Sequence, residues 1–270
     1  MTASYISCPG LSAASSEAVL TITLDNSARR NSLNDQSLAA LIANLEFAST
    51  DDDLRAVLIR GEGGNFCSGF DIVGRNAKQD QKPRIASIQR RMPTQANRLI
   101  PLILQTQVPI VCEVQGWAVG IGAQIALAAD FVVTAEDSRW WYPFLARGFT
   151  PDSGSTWLLP RVVGIARARE LLILNRQLTG TEAVEWGIAH LAVPGGEVSN
   201  EANKLAAKLA AGPTAAVGLT KWLLNASYSQ TLGDHLASEA FAMELSSRSP
   251  DFREGLAAFK ERRDPQFGGR

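Results

Sequence analysis

The chain has 270 residues, of which 46% are hydrophobic and 20% charged, and its formal net charge is −1. This composition is that of a globular protein with one main core, and it gives no electrostatic reason to expect nucleic acid or an anionic membrane as a partner. The three scattered cysteines predict neither a disulfide framework nor a metal site, and without a secretory signal or a membrane-length apolar run we expect a cytoplasmic protein.

Short apolar strands alternate with helices over the first half of the chain. Period-two patterns and apolar runs that end in turn residues predict strands at residues 19–24, 56–59, 110–114 and 131–135. Apolar residues at helical spacing predict a helix over 34–49, and a nearly all-apolar run predicts a short buried helix over 123–129. This alternation predicts an α/β fold.

The last third of the chain has a different pattern. From residue 153 onward the sequence is almost entirely helical in periodicity, with glycine and proline between the segments. Amphipathic helices are predicted at 201–211, 213–227 and 252–260. We therefore predict an α/β core over residues 1–200 and a helical C-terminal region over residues 201–270. The segment 75–100, rich in Gln and Arg, is expected to form a lid helix.

The first glycine-rich segment reads Asn-Phe-Cys-Ser-Gly-Phe-Asp-Ile over residues 65–72. A glycine at position 69 lets the chain turn sharply, which leaves the Phe70 N–H directed into a cleft. The alternative is an ordinary turn in which the glycine supplies a left-handed residue.

The second glycine-rich segment covers residues 116–124 and contains Gly120-Ile121-Gly122 between a predicted strand and a predicted helix. The Ile121 amide then lies at a helix N-terminus, where unpaired N–H groups and the helix dipole favour negative charge. Together with the Phe70 amide it would form an oxyanion hole for a thioester carbonyl. A nucleotide-binding turn is the competing interpretation, but the third glycine at Rossmann spacing is missing.

These segments resemble the enoyl-CoA hydratase/isomerase family, also called the crotonase superfamily. The similarity includes residues 28–33, 116–130, 135–164, 252–255 and 265–267, and so extends over nearly the whole chain. It implies a spiral core of ββα turns and a helical C-terminal region that supports trimers or dimers of trimers. It also implies an acyl-CoA substrate, with no separate cofactor.

The resemblance assigns roles to individual positions. It places the oxyanion hole at the backbone N–H groups of Phe70 and Ile121. It places the CoA channel beside the following residues: Arg30 near the phosphates, and Ser68, Asp71 and Ile72 along the pantetheine and adenine.

The departures from the family pattern bear on the reaction. Hydratases of the family carry glutamates at the positions that are Gln124 and Phe144 here, so these side chains line the substrate site without supplying an acid. Because glutamine does not titrate and phenylalanine has no polar group, ordinary water addition is disfavoured. Asp152 remains, within residues 148–161, a stretch that closely resembles isomerases of bacterial phenylacetate degradation, in which an aspartate is the principal acid and base.

One carboxylate is sufficient for a 1,3-proton shift through an enolate. The predicted function is therefore an acyl-CoA isomerase that moves a double bond or rearranges a cyclic enoyl-CoA, with Asp152 as its acid and base. Several alternatives stay open. Asp152 is also a suitable N-cap for a helix that begins near Ser153. The protein is otherwise a hydratase or thioester hydrolase with relocated acids, or it binds acyl-CoA without turnover.

Overall fold

The computed structural model describes residues 5–72 and 84–270. The predicted lid, residues 75–100, falls partly outside the described residues. Its described part contains one helical turn at Ser87–Arg91 and the first half of a helix at Ala96–Gln105. Within the described ranges, no helix combines the length and the apolar content needed to cross a bilayer.

Strands and helices alternate through residue 193, after which the chain is helical. The strands are β1 Leu11–Ser16, β2 Val19–Leu24, β3 Ala56–Gly61, β4 Ile110–Val114, β5 Trp117–Val119, β6 Phe131–Ala135, β7 Arg139–Trp141, β8 Leu178–Thr179 and β9 Leu191–Val193. The helices are α1 Asp35–Ala48, α2 Ser87–Arg91, α3 Ala96–Gln105, α4 Ile121–Ala128, α5 Ser155–Leu172, α6 Gly180–Glu185, α7 Val198–Ala210, α8 Thr214–Ala226, α9 Leu232–Ser246 and α10 Pro250–Glu261. The backbone of α5 leaves helical geometry at Gly164.

Two sheets organise the described part of the chain. The larger has the order β1-β2-β3-β4-β6-β9, in which β1 is antiparallel to β2 and the other neighbours are parallel. The smaller has the order β5-β7-β8. Helices connect the parallel strands because such strands need a crossover.

The larger sheet is covered on both faces. Alternate residues of its strands point to opposite faces, so Val57 and Ile59 join one hydrophobic cluster while Leu58 joins another. The first cluster includes buried residues of α1, α3 and α4, and the second includes Val198 and Ala202 of α7. A strand buried on both faces reads as the continuous apolar run seen in the sequence.

The fold confirms most of the predicted elements. The strands predicted at 19–24, 110–114 and 131–135 have the observed bounds, and the one predicted at 56–59 extends to Gly61. Helix α1 matches its prediction because the Asn34 side chain caps it, accepting hydrogen bonds from two backbone amides. The α/β class with C-terminal helices is confirmed, while the boundary at residue 200 stays a prediction.

Five strands have no counterpart in the sequence prediction, namely β1, β5, β7, β8 and β9. Strand β1 reads Leu-Ser-Ala-Ala-Ser-Ser, which has little strand propensity, and its conformation comes from antiparallel pairing with β2. Strands β8 and β9 also interrupt the stretch after residue 153 that was predicted to be helical almost throughout. Each has two or three residues and is specified by its partner strand, β7 or β6.

Candidate active site

The two glycine-rich segments lie side by side. Cys67 N–H donates to the Trp117 carbonyl at 2.8 Å, and Val119 N–H donates back to the Cys67 carbonyl at 2.8 Å. These two bonds join the first segment to β5, the strand that leads into α4. The backbone therefore brings together two turns whose glycines, Gly69 and Gly120, are 51 residues apart in the sequence.

The direction of the Phe70 amide follows from its neighbours. Leu33 N–H donates to the Gly69 carbonyl at 2.9 Å, and Asp71 N–H donates to the Leu33 carbonyl at 2.8 Å. Since the peptide between Gly69 and Phe70 is trans, the Phe70 N–H points opposite to the Gly69 carbonyl and hence away from Leu33. Gly69 has φ +99°, a conformation that favours glycine. The turn thus directs the amide away from Leu33, and its role in an oxyanion hole stays a prediction.

The Ile121 amide lies in the first turn of α4. Gln124 N–H donates to the Gly120 carbonyl at 3.0 Å, which is the first bond of the helix, and Gly120 contributes no side-chain cap. The Ile121 N–H therefore has no acceptor within the helix and lies at the positive end of its dipole. Negative charge that develops beside this amide is stabilised.

Gly122 allows α4 to contact the first turn. A Cβ atom at this position would lie 2.6 Å from both the Cβ and the carbonyl oxygen of Cys67, well inside van der Waals contact. Only glycine fits at that separation. The Cys67 thiol is fully buried, and burial raises its pKa to about 12, so it packs as a neutral side chain.

The residues predicted to line the CoA channel lie near one another. Ser68 N–H donates to the Arg30 carbonyl at 2.9 Å, and Ser68 Oγ donates to the Arg29 carbonyl at 2.9 Å. Arg29 also pairs with Asp71, at 2.6 Å between Nη1 and Oδ2. Ile72 follows and is exposed. Arg29 adjoins Arg30 in the sequence, and the ion pair with Asp71 joins it to the first glycine-rich segment.

Asp152 lies in the turn before α5. Its Oδ1 accepts a hydrogen bond from Ser153 Oγ at 2.8 Å. Partial burial raises the pKa of the carboxyl above its ordinary value, and the Ser153 hydrogen bond lowers it in part. The residue nevertheless remains accessible to solvent. A reachable carboxylate with a raised pKa is a more effective base than an ordinary aspartate.

The interpretation of Asp152 as a helix cap is wrong. Helix α5 begins at Ser155, and its N-cap is Gly154, which has φ +77° and makes no side-chain capping bond. Only the main-chain carbonyl of Asp152 contacts the helix start, where it accepts a bond from Ser155 N–H at 3.0 Å. The Asp152 carboxyl is therefore not required to satisfy the end of the helix.

The acidic turn rests on a helix that packs against α4. A Cβ atom at Gly154 would lie 3.6 Å from Ile100 of α3, so the turn rests on that helix. Helices α3 and α5 both pack against α4. The acidic turn is thus connected to α4 through the two helices that pack against it.

Gln124 and Phe144 are both buried. Gln124 has no exposed surface, and neither its Oε1 nor its Nε2 has a hydrogen-bond partner within the described part of the chain. Phe144 is 4% exposed and packs edge-on against Phe149, with ring centroids 5.8 Å apart. Neither side chain supplies an acid. The roles of Gln124, Phe144 and Asp152 in binding and catalysis stay predictions.

Residues 141 and 142 contribute two more buried polar atoms. The Trp141 carbonyl accepts a hydrogen bond from Gly120 N–H at 2.9 Å, which anchors the end of β7 beside the start of α4. Trp141 Nε1 and the Tyr142 hydroxyl have no partner among residues 5–72 and 84–270. Burial raises the pKa of Tyr142 and keeps its hydroxyl neutral.

A cavity of about 500 Å³ lies at the C-terminal end of α4, opposite Ile121. Its apolar lining includes Leu127 and Trp157, and its wall contains an ion pair between Lys221 Nζ and Asp130 Oδ2 at 2.7 Å. Burial lowers the pKa of Lys221 and raises that of Asp130, while their mutual attraction opposes both shifts. The pair fastens α8 to the sheet, at the end of α4 opposite the two glycine-rich turns.

Comparisons with known proteins agree on one family for this chain. The Enoyl-CoA hydratase/isomerase family model matches residues 14–270. A 1,2-epoxyphenylacetyl-CoA isomerase of Escherichia coli (strain K12) is 37% identical over 254 residues, which are 94% of this chain and 96% of that protein. A Rhodobacter capsulatus protein named as a probable enoyl-CoA hydratase is 36% identical over 255 residues, which are 94% of this chain and 96% of that one. The crystal structure of an enoyl-CoA hydratase from Bacillus anthracis superposes with a TM-score of 0.88 at 28% identity, covering 97% of this chain and 100% of that chain.

Proposed function

This chain belongs to the enoyl-CoA hydratase/isomerase family, and from that premise we propose that it is an acyl-CoA isomerase. It shifts a double bond or rearranges a cyclic enoyl-CoA through a thioester enolate, with Asp152 as the single acid and base. The observation that carries the proposal is that Asp152, among the three candidate positions 124, 144 and 152, has the one side chain that titrates. Asp152 is a reachable carboxyl with a raised pKa, whereas Gln124 and Phe144 cannot exchange protons.

In the proposed reaction the Asp152 carboxylate removes a proton from C2 of a 3-enoyl thioester. The electron pair moves into a dienolate whose oxygen accepts hydrogen bonds from the Phe70 and Ile121 amides. The protonated Asp152 then returns the proton to C4, and the double bond ends conjugated with the thioester. No water enters the product and no metal or redox cofactor is needed. A relative named 1,2-epoxyphenylacetyl-CoA isomerase supports the ring-rearranging form of this chemistry.

An isotope experiment distinguishes isomerisation from hydration. The purified protein is incubated with 3-enoyl-CoA and with 2-enoyl-CoA in heavy-oxygen water and, separately, in deuterium oxide. We expect the 2-enoyl product to carry no heavy oxygen, and to carry deuterium only to the extent that the protonated Asp152 exchanges with solvent before it protonates C4. Heavy oxygen in a 3-hydroxyacyl product would instead identify a hydratase, and heavy oxygen in a free acid would identify a thioester hydrolase. If no ester is converted, the protein binds acyl-CoA without turnover.

Hydration is the second candidate because a relative of nearly equal identity is named as a hydratase. Water addition requires a group that deprotonates water and a group that protonates C2. With glutamine at 124 and phenylalanine at 144, Asp152 would have to supply both functions. The isomerase therefore agrees better with the residues present.

The remaining parts of the proposal concern binding and assembly. Arg30, Ser68, Asp71 and Ile72 form the CoA channel, and the protein works in the cytoplasm. The exposed apolar side chains of the C-terminal helices, among them Leu232, Leu236, Phe241, Met243 and Phe259, support assembly into a homotrimer or a dimer of trimers. Light scattering coupled to gel filtration tests the assembly, and a monomer at micromolar concentration would refute it.

A further inference from the structure

Two buried serines hold Asp152 in the turn before α5. The hydroxyl and the N–H of Ser155 donate to the main-chain carbonyl of Asp152 at 2.7 and 3.0 Å. Ser153 Oγ donates instead to the carboxyl oxygen Oδ1, at 2.8 Å. Ser153 is 3% exposed and Ser155 has no exposed surface. The backbone and the carboxyl of Asp152 are therefore held by two different hydroxyl groups.

Ser153 has a backbone conformation that is uncommon for its residue type. Its φ is +50°, in the left-handed region, and Gly154 follows with φ +77°. A side chain is disfavoured in that region because its Cβ approaches the following carbonyl oxygen. Glycine would adopt the same backbone more easily. The turn thus keeps a hydroxyl beside the Asp152 carboxyl at a position where its backbone favours a residue without a side chain.

The other described neighbours of this turn are apolar. Ile100 of α3 and Leu158 of α5 both approach Gly154. Burial raises the pKa of the Asp152 carboxyl and the Ser153 hydrogen bond lowers it, and no charged side chain within residues 5–72 and 84–270 is a further cause. In such a setting a hydrogen bond donated to a carboxylate is stronger than in water, and it favours the ionised form.

From these contacts we infer that Ser153 is a positioning residue for the proton transfer: its hydroxyl orients the Asp152 carboxyl and stabilises the carboxylate. The bond occupies Oδ1 and leaves Oδ2 to exchange the proton with the substrate. Ser153 acts through Asp152 and does not itself contact the acyl group. This inference rests on the proposed function, because it assumes that Asp152 is the acid and base.

A titration of the carboxyl tests the inference without depending on turnover. The protein is labelled with ¹³C at the aspartate carboxyl groups, and the resonance that is missing from Asp152→Asn is followed by NMR as pH is varied. In Ser153→Ala the midpoint of that resonance should move upward by about 0.5–1.5 pH units, because a donor to the ionised form is lost.

Two further variants separate positioning from the shape of the turn. Ser155→Ala also removes a buried hydroxyl bonded to Asp152, but one that contacts the main chain, so its midpoint should equal that of the parent. Ser153→Gly should melt at a higher temperature than Ser153→Ala, since glycine accepts the left-handed backbone, and yet show the same upward shift. Recovery of the parent midpoint in Ser153→Gly would overturn the inference, as would equal shifts in Ser153→Ala and Ser155→Ala.

Kinetics report whether the orientation of the carboxyl matters for the reaction. In Ser153→Ala and Ser153→Gly, kcat for 3-enoyl-CoA isomerisation at the pH plateau should fall by about 3- to 30-fold, because Oδ2 is less well directed. KM should stay within about twofold of the parent value, and the midpoint of kcat/KM against pH should move with the NMR midpoint.

The outcomes distinguish this inference from the proposed function. If the parent isomerises 3-enoyl-CoA and Asp152→Asn does not, an unchanged kcat and an unchanged midpoint in Ser153→Ala overturn the inference alone. If the parent converts no 3-enoyl-CoA, the proposed function fails. The NMR midpoints of the serine variants then still show whether the Ser153 hydroxyl stabilises the carboxylate.

Discussion

Replacing Asp152 by asparagine removes the titrating group and changes little else. Asparagine has nearly the same shape, and its Oδ1 can still accept the hydrogen bond that Ser153 Oγ donates at 2.8 Å. The main-chain carbonyl that contacts the start of α5 is also retained. The substitution therefore tests the proton transfer rather than the turn.

The expected loss follows from the proposed role. General acid–base catalysis contributes about 10²- to 10⁴-fold, which corresponds to about 2.7–5.4 kcal/mol of activation free energy. We expect kcat for 3-enoyl-CoA isomerisation to fall within that range, measured by the absorbance of the conjugated thioester product. Asp137→Asn, at an exposed carboxylate in the turn after β6, is the matched control and should retain the parent rate.

Stability gives an independent check on the same variant. The folded-state pKa of Asp152 is raised, so its favourable contribution is present below the unfolded-state pKa and is lost as pH rises through the folded-state pKa. At neutral pH the ionised, partly desolvated carboxylate is therefore unfavourable. Asp152→Asn should show an unchanged or higher melting temperature at pH 7. A variant that isomerises as fast as the parent would refute the mechanism, and one that loses activity together with stability would refute the assignment of the loss to proton transfer.

Three further outcomes follow from the described contacts. Gly122→Ala places a methyl group 2.6 Å from Cys67 in the neighbouring turn, and it should lower the free energy of unfolding in urea melts by about 1–3 kcal/mol and remove most of the activity. The control Gly195→Ala, where nothing lies within 4 Å of the added methyl group, should change neither the free energy of unfolding nor the activity. The value of kcat/KM should rise with pH and then level off, and the midpoint of the rise should equal the pKa of Asp152, above the ordinary aspartate pKa. A midpoint at or below the ordinary aspartate pKa would contradict the inference that partial burial raises the pKa of this carboxyl. Lys221→Met leaves Asp130 buried without its 2.7 Å partner and should cost about 3–5 kcal/mol in thermal or urea melts, most of it recovered in the Lys221→Met, Asp130→Asn double variant.

The sequence was sufficient for the elements whose own residues specify them. Strand β4 reads Ile-Val-Cys-Glu-Val and is buried along its length, and α1 carries both its apolar stripe and its Asn34 cap. The glycine at 69 was likewise readable, because only its left-handed conformation gives the turn that directs the Phe70 amide. In each case the local preference and the tertiary structure agree.

Features that depend on distant partners were not readable. Strand β1 is extended because β2 pairs with it, and the Arg29–Asp71 ion pair joins residues 42 positions apart. Asp152 was an acceptable helix cap by residue type, yet the helix begins three residues later, after a left-handed Gly154. The unpaired state of the Gln124 amide is also a property of its surroundings, which no local pattern reports.

A neutral residue at position 124 has an electrostatic consequence for an enolate. The Gln124 backbone is about 4.5 Å along α4 from Ile121, and we take about 5 Å as the separation between a glutamate charge there and an enolate oxygen at that amide. At an effective dielectric constant of about 20, two negative charges at that distance repel by about 3 kcal/mol. Such a repulsion is of the same size as the contribution of one oxyanion donor. With glutamine at position 124 this repulsion is absent. The proposed base, Asp152, is then the one carboxylate among positions 124, 144 and 152. This division between a neutral helix end and a separate acidic turn favours reactions that form and reprotonate an enolate over reactions that need a second acid at the helix.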